Sequence, residues 1–287
     1  MSLTSFIKNA DVRAKLRETF QKPCDPTLLR ICKTPHNPAL PLTNHYSLVG
    51  TAFDYLMRFH LKRLNPDAIV SPWIAEIALD IITPKTALLR KATAIIKQSQ
   101  DCYTAYIKSG NITDSLIKST LLLAQLDVIH RAGIIPDDLG YVDQKDITDL
   151  RALLNLVDRK TFKSKSVCLL NPTFGDASNL VRGADADLVL DDMIIDIKTT
   201  KYLELKRCDF NQLIGYFCLF KIGGIDGLPP HSAIRRLGIY FSRYGYLYEI
   251  SANNIWAQKS FSKFLRWFQE RAYSEYGCPL FIEKNSA

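Results

Sequence analysis

The segment Gly183-Ala-Asp-Ala-Asp-Leu-Val-Leu-Asp-Asp-Met-Ile-Ile-Asp-Ile-Lys-Thr-Thr200 places acids inside an apolar run. A tight turn at Asp191-Asp192 makes a hairpin in which Leu190 faces Met193, Asp187 faces Asp196 and Asp185 faces Lys198. Side chains alternate along a strand, so 185, 187, 196 and 198 share one face. Directly opposed residues have Cβ atoms about 4.5–5.5 Å apart, and like charges there are destabilising. Two opposed carboxylates need a cation. Mg²⁺ suits them, because it takes hard oxygen ligands and binds through one or two carboxylates plus waters and phosphate oxygens. On the same face, the Lys198 ammonium can orient a water or stabilise charge on a phosphate. The ordinary alternative is a solvated charged face with Asp185 and Lys198 as a surface pair. Against it, Asp196 interrupts Ile194-Ile195-Asp-Ile197, which reads as a buried strand.

Downstream, Asp209-Phe-Asn-Gln-Leu-Ile-Gly-Tyr216 puts Gln212 and Tyr216 four apart on one helical face. The pair can bond a nucleotide phosphate or base, or hold Lys198. Alone, Gln-x-x-x-Tyr occurs commonly by chance, and the Tyr then reads as a core aromatic. Taken in order, Asp187, Asp196-Ile-Lys198 and Gln212-Leu-Ile-Gly-Tyr216 resemble the PD-(D/E)xK nuclease superfamily. More narrowly they are similar to its RecB-like exonuclease branch, where a Gln-x-x-x-Tyr helix follows the Lys strand. That branch also has an upstream helix opening Gly-Thr-x-x-His. Here Gly50-Thr-Ala-Phe-Asp54 matches at Gly and Thr and has Asp54 in the His position.

The resemblance covers about 46–64 and 166–250. It implies an α/β fold with a restriction-endonuclease-like core, a mixed central sheet flanked by helices. It implies a DNA nuclease dependent on Mg²⁺ or Mn²⁺, an exonuclease by its branch, acting on single- or double-stranded DNA. Asp187 and Asp196 would hold the metal, with Asp54 completing its shell. Lys198 would act on the attacking water or the phosphate, and Gln212 and Tyr216 would orient Lys198 or the DNA. Some relatives carry an iron–sulfur cluster on four cysteines, three near the C-terminus. Only Cys278 lies there, so no cluster is expected. Two alternatives stay open: an inactive nucleic-acid-binding module on the same fold, to which the departure at Asp54 points, and an RNA-directed nuclease.

The elements that must position these residues follow from periodicity. Residues 1–20 read as a helix with Leu3, Phe6, Ile7, Leu16 and Phe20 on its apolar side, and a Pro-rich stretch follows, from Pro23 through Pro26, Pro35 and Pro38 to Pro41. Helical patterns cover 46–64 and almost all of 71–157. The period changes near 166: strands are expected over 166–170, 184–190 and 193–199, then a helix over 208–222, strands over 235–242 and 246–250, and a final helix over 253–276. The division is an N-terminal helix and Pro-rich arm over 1–45 and a nuclease domain over 46–287, the latter with a large helical insertion at about 66–160 and its catalytic core at about 166–250.

Composition bounds the rest. The chain has 287 residues, 47% apolar and 23% charged, which excludes wholesale disorder. The excess of 37 Lys and Arg over 29 Asp and Glu is read equally as attraction to a polyanion or as plain solubility. Lys201, Lys206, Arg207, Arg235, Arg236 and Arg243 are candidates for contacts to a nucleic-acid backbone. Glu76 is a reserve metal ligand. Gly223-Gly224-Ile-Asp-Gly227 reads as a flexible turn, with phosphate contact the lesser alternative. No apolar run is long enough to span a membrane, and none resembles a signal peptide. The seven cysteines form no CxxC pair, which fits a reducing, cytoplasmic setting without a disulfide framework or structural zinc. There is no Walker A loop.

Overall fold

The computed structural model of the chain describes residues 2–23, 38–257 and 259–277. Cys24, Pro26, Cys32, Pro35, His36 and Cys278 lie outside them. The fold is α/β. Its helices are α1 (Leu3–Phe6), α2 (Ala10–Thr19), α3 (Tyr46–Leu64), α4 (Ile74–Ile81), α5 (Ala87–Ser109), α6 (Asp114–Ala132), α7 (Gln144–Asn155), α8 (Asp176–Leu180), α9 (Arg207–Gly223), α10 (Asn253–Trp256) and α11 (Phe261–Tyr276). Six strands form one mixed sheet in chain order: β1 (Ile69–Val70), β2 (Cys168–Leu170), β3 (Leu188–Leu190), β4 (Met193–Lys198), β5 (Arg236–Phe241) and β6 (Tyr246–Ser251).

Two neighbouring pairs are parallel, β1 with β2 and β4 with β5. A parallel pair cannot be closed by a tight turn and needs a crossover, usually helical. Helices α4–α7 make the first crossover and α9 the second. The helical segment about 66–160 is therefore the connection between two strands, and β1 lies inside it. Helices α5 and α6 are delimited by ordinary cap chemistry. Thr86 and Thr113 accept from the Leu89 and Leu116 N–H groups (both 3.1 Å), and Gly110 and Gly133 close the C-termini at positive φ.

The sheet divides two apolar layers, and strand alternation decides which side chain enters which. Met193, Ile195 and Ile197 join α3–α7 in one core. Ile194, Val189, Leu237 and Ile239 join α1, α2, α8, α9 and α11 in the other. Asp196 and Lys198 share the parity of Ile194, so they lie on the α9 side.

The N-terminal residues belong to that second core. The expected single helix over 1–20 is two, α1 and α2, separated by Ile7–Asn9. Phe6 packs edge-on against Phe268 (5.1 Å) and Phe20 against Phe264 (4.9 Å). Gly215 lets α1 approach α9, since a Cβ there would come within 2.9 Å of Leu3 Cδ1. The C-terminal helix is likewise broken, into α10 and α11.

Three of the proposed backbone-contact cations are structural. Arg243 is buried and forks onto Asp149 (2.8 and 3.0 Å) while donating to the Ala39 carbonyl (2.7 Å). Arg207 donates to the carbonyls of Leu16 and Phe20 (2.6 and 2.8 Å) at the end of α2. Arg236 pairs with Asp192 and Glu249. Lys201, Lys206 and Arg235 are exposed. Gly223 packs tightly on α8, where a Cβ would meet the Phe174 carbonyl at 2.6 Å, and Gly227 packs on Ile69 and Leu169. That loop is a packing device. Removing one partner of a buried ion pair strands the other. Arg243→Ala is therefore expected to lower unfolding free energy by about 3–5 kcal/mol in urea denaturation, whereas a backbone-contact role would leave stability unchanged.

Candidate active site

The Asp191-Asp192 turn forms as expected: Leu190 pairs with Met193, Val189 with Ile194 and Leu188 with Ile195. Asp191 adopts positive φ, and its carboxylate accepts from the N–H groups of Lys165, Ser166 and Val167, anchoring the turn to the start of β2. The pairing stops at Leu188. Before it the chain leaves β4 and follows the continuation of β2. Asn171 N–H donates to the Asp187 carbonyl (3.0 Å), Ala186 N–H donates to the Pro172 carbonyl (3.0 Å), and Asp185 bridges Thr173.

This divergence has two consequences. Asp187 stays beside β4, and its side-chain Oδ2 accepts the Ile197 N–H (2.6 Å) that a continued ladder would have used. Asp185 is drawn away from the expected place opposite Lys198. It lies 3.7 Å from Arg131 Nη2 instead. The strand expected over 184–190 is therefore only 188–190, because 185–187 pair elsewhere.

Asp196 is 1% exposed, and its Oδ2 lies 2.8 Å from Lys198 Nζ. Lys198 Nζ also donates to Gln212 Oε1 (3.1 Å), and Gln212 Nε2 donates to the Tyr216 hydroxyl oxygen (2.7 Å). The i,i+4 spacing on α9 makes the last contact possible. Tyr216 is buried and stacked on Phe174 at 5.5 Å. Ser242 Oγ donates to Thr199 Oγ1 (2.9 Å), which fixes the end of β4. Helix α3 passes that end closely, with Gly50 set 3.9 Å from Thr199 Cβ by its would-be Cβ. This brings Asp54 near enough for the charges of Asp187, Asp196 and Lys198 to act on it. All six residues singled out from sequence, Asp54, Asp187, Asp196, Lys198, Gln212 and Tyr216, thus meet where β3 and β4 part. A cleft of about 270 Å³ opens there, lined by Asp54, Asp187, Gln212 and Tyr216 among others.

Three more lining residues carry no sequence motif: Arg58, Asp127 and Arg131. Arg131 Nε donates to Asp127 Oδ1 (2.6 Å), and the Tyr55 hydroxyl donates to Asp127 Oδ2 (3.2 Å). The Asp127 and Arg131 spacing of four on α6 is a helical ion-pair signal that sequence reading passed over. Glu76 stands apart from the site: it accepts from Trp73 N–H (3.2 Å) and Gln100 Nε2 (2.8 Å) at the start of α4.

Burial pushes the Asp187 carboxyl up to about 7, and the charge of Asp196 adds to this. Burial also raises Asp54 well above the carboxylate range, with Asp187 adding to it, and raises Asp196 against the opposing pull of Lys198. Burial works to neutralise Lys198, but Asp196 and Asp187 outweigh it and keep the ammonium charged. The site holds more acid than its cations balance.

That excess is the test of a metal. Asp54, Asp187 and Asp196 are hard oxygen donors of the kind Mg²⁺ and Mn²⁺ take, so the donor set fits in chemistry. Among the described residues, no group of three or more His, Cys, Asp and Glu side chains is placed so that it could hold a metal ion as it stands. Asp196 is turned to Lys198, and coordination would require it to turn from that ammonium.

No family model, no curated protein and no solved structure matches this chain. Among the described residues no helix is long and apolar enough to cross a membrane.

An acid whose folded-state pKa is raised stabilises the fold only while protonated, and that contribution is lost as pH rises through the folded value. In chelator, Asp187→Asn is therefore expected to melt above wild type at pH 8, with the difference vanishing near pH 4. Asn can still accept the Ile197 N–H. Thermal melts across pH check this, and equal melting points at pH 8 would contradict it.

Proposed function

We propose that the chain is a metal-dependent DNA nuclease similar to the RecB-like branch of the PD-(D/E)xK superfamily, acting as an exonuclease. One observation carries the reading: the contact chain Asp196–Lys198–Gln212–Tyr216 ends, through Gln212 and Tyr216, at the cleft that Asp54 and Asp187 also line. The four motif residues lie on two separate elements, β4 and α9. Asp196 and Tyr216 are buried and Lys198 and Gln212 half-buried between them, and a solvated charged face would give no reason for them to be joined.

On this reading Asp187 and Asp196 hold Mg²⁺ or Mn²⁺ and Asp54 completes the shell. When bound, the ion polarises the scissile phosphate and lowers the pKa of a coordinated water. The chain's own contribution is positional. Gln212 holds the Lys198 ammonium through Oε1 and is itself held by Tyr216. Asp196 and Asp187 keep that ammonium protonated, so it is a fixed positive charge at the phosphate. Such a preorganised group acts on charge that grows only in the transition state. Asp196 is buried and Asp54 and Asp187 are half-buried, which lowers the local dielectric and strengthens each of these interactions.

The second reading is a binding module without turnover. The closed Asp196–Lys198 pair favours it, together with Asp54 in place of the family's His.

End-labelled linear DNA, closed circular DNA and RNA, incubated with Mg²⁺, Mn²⁺ or chelator, separate the readings. Metal-dependent loss of label from linear DNA with circles spared is expected. Lys198→Ala should cut ~10²–10³-fold more slowly, by analogy with loss of one oxyanion donor, while folding and DNA affinity stay nearly intact. Asp196→Asn should be as slow through weakened metal binding, so raised Mn²⁺ should partly restore it and leave Lys198→Ala unchanged. Wild-type rates in both variants would show the assignment of this site to be wrong. Binding without cleavage of any substrate would select the module.

A further inference from the structure

Arg58 follows Asp54 by one turn of α3, and the residue is only 6% exposed. Its position is fixed from two sides. Nε donates to the Asp54 carbonyl (3.3 Å), and the guanidinium lies 4.2 Å above the Tyr55 ring centroid. Tyr55 is itself pinned, accepting from Ala75 N–H (3.0 Å) and donating to Asp127. Yet Nη1 is buried without a hydrogen-bond partner, and no ion pair forms on Arg58 among the described residues. A guanidinium cannot shed its charge, and leaving a charged donor unmade is costly. The other cation at the cleft, Arg131, is already engaged by Asp127 and Asp185. Arg58 thus offers a held guanidinium with no ion pair at the cleft that Asp54 and Asp187 line.

We propose that Arg58 is an anion subsite, its guanidinium donating to a phosphate oxygen of a nucleic-acid chain seated beside the acidic group. The proposal rests on the nuclease reading for the identity of its ligand. A guanidinium suits it, since its planar fork matches phosphate oxygens and is weakly hydrated. The phosphate would be a terminal monoester or a neighbouring diester, and both present the same oxygens. The acids at the cleft make its seating dependent on a divalent ion.

The test uses short DNA oligonucleotides bearing a 5′-phosphate, a 3′-phosphate or only hydroxyl ends, with binding read by fluorescence anisotropy in Ca²⁺. Arg58→Gln is expected to weaken binding about 10- to 100-fold, the range that one charge-assisted hydrogen bond supplies. If the source is a terminal phosphate, wild type prefers one phosphorylated end and the variant loses that preference. If it is a diester, the variant weakens all three oligonucleotides alike. Wild-type affinity for every oligonucleotide in a folded variant overturns the subsite. Should Arg58→Gln fail to fold, the Nε–H resonance of Arg58 in the wild-type chain gives the same answer: it shifts on oligonucleotide addition, or the subsite is wrong. Should wild type bind no nucleic acid, the nuclease reading fails by itself. Inorganic phosphate then tests the subsite alone, through a phosphate-dependent rise in melting temperature that Arg58→Lys abolishes, and no rise in wild type overturns it.

Discussion

Asp54, Asp187 and Asp196 gather with the Lys198 ammonium where β3 and β4 part, and the contacts around them answer that excess of acid. A buried carboxylate prefers to be protonated, paired or metal-bound. Asp196 takes Lys198, Asp187 takes a backbone N–H from Ile197, and Asp54 has the charges of Arg58 and Lys198 acting on it without an ion pair among the described residues. Each solution is local and incomplete. Lys198 cannot neutralise all three, and Gln212 and Tyr216 fix where its single charge sits. A fold built for stability alone would replace such a group with apolar side chains at little or no cost. Its presence beside two apolar layers is what supports a functional reading.

The sheet explains how a hairpin can hold this group without closing over it. Had β3 continued to residue 184, its backbone would have paired with Ile197 and covered the acids with a regular ladder. Instead 185–187 pair with 171–173, and the resulting gap is the cleft. The parallel β4–β5 pair requires α9 as its crossover, which sets Gln212 and Tyr216 over β4. The long crossover between β1 and β2 carries α6, which supplies Asp127 and Arg131 to the same cleft.

Much of this was legible in the sequence because it rests on local periodicity. The bounds of α3 and α6 and the turn at Asp191-Asp192 follow from apolar spacing and turn chemistry alone. Parity then placed Asp196 and Lys198 together. What escaped was non-local. Strand β1 is only Ile69–Val70, too short to show a period. The departure of Asp185 depends on hydrogen bonds to residues 171–173 that no hairpin pattern contains. Arg243 and Arg207 looked like surface cations, and only their tertiary partners, Asp149 and the end of α2, show otherwise. Arg58 sits in an apolar helix where spacing gives it no distinguishing mark. The resemblance to a nuclease branch rests on a few residues in order, and the geometry adds that those residues meet.

The central proposal is that Asp54, Asp187 and Asp196 hold a divalent cation once Asp196 turns from Lys198. Titration of Mn²⁺ into the protein, following the free-ion signal by electron paramagnetic resonance, tests it without reference to any substrate. The account predicts saturable Mn²⁺ binding displaced by Mg²⁺ and strongly weakened in Asp187→Asn. Mn²⁺ uptake that fails to saturate, or that is the same in the variant as in wild type, would contradict it.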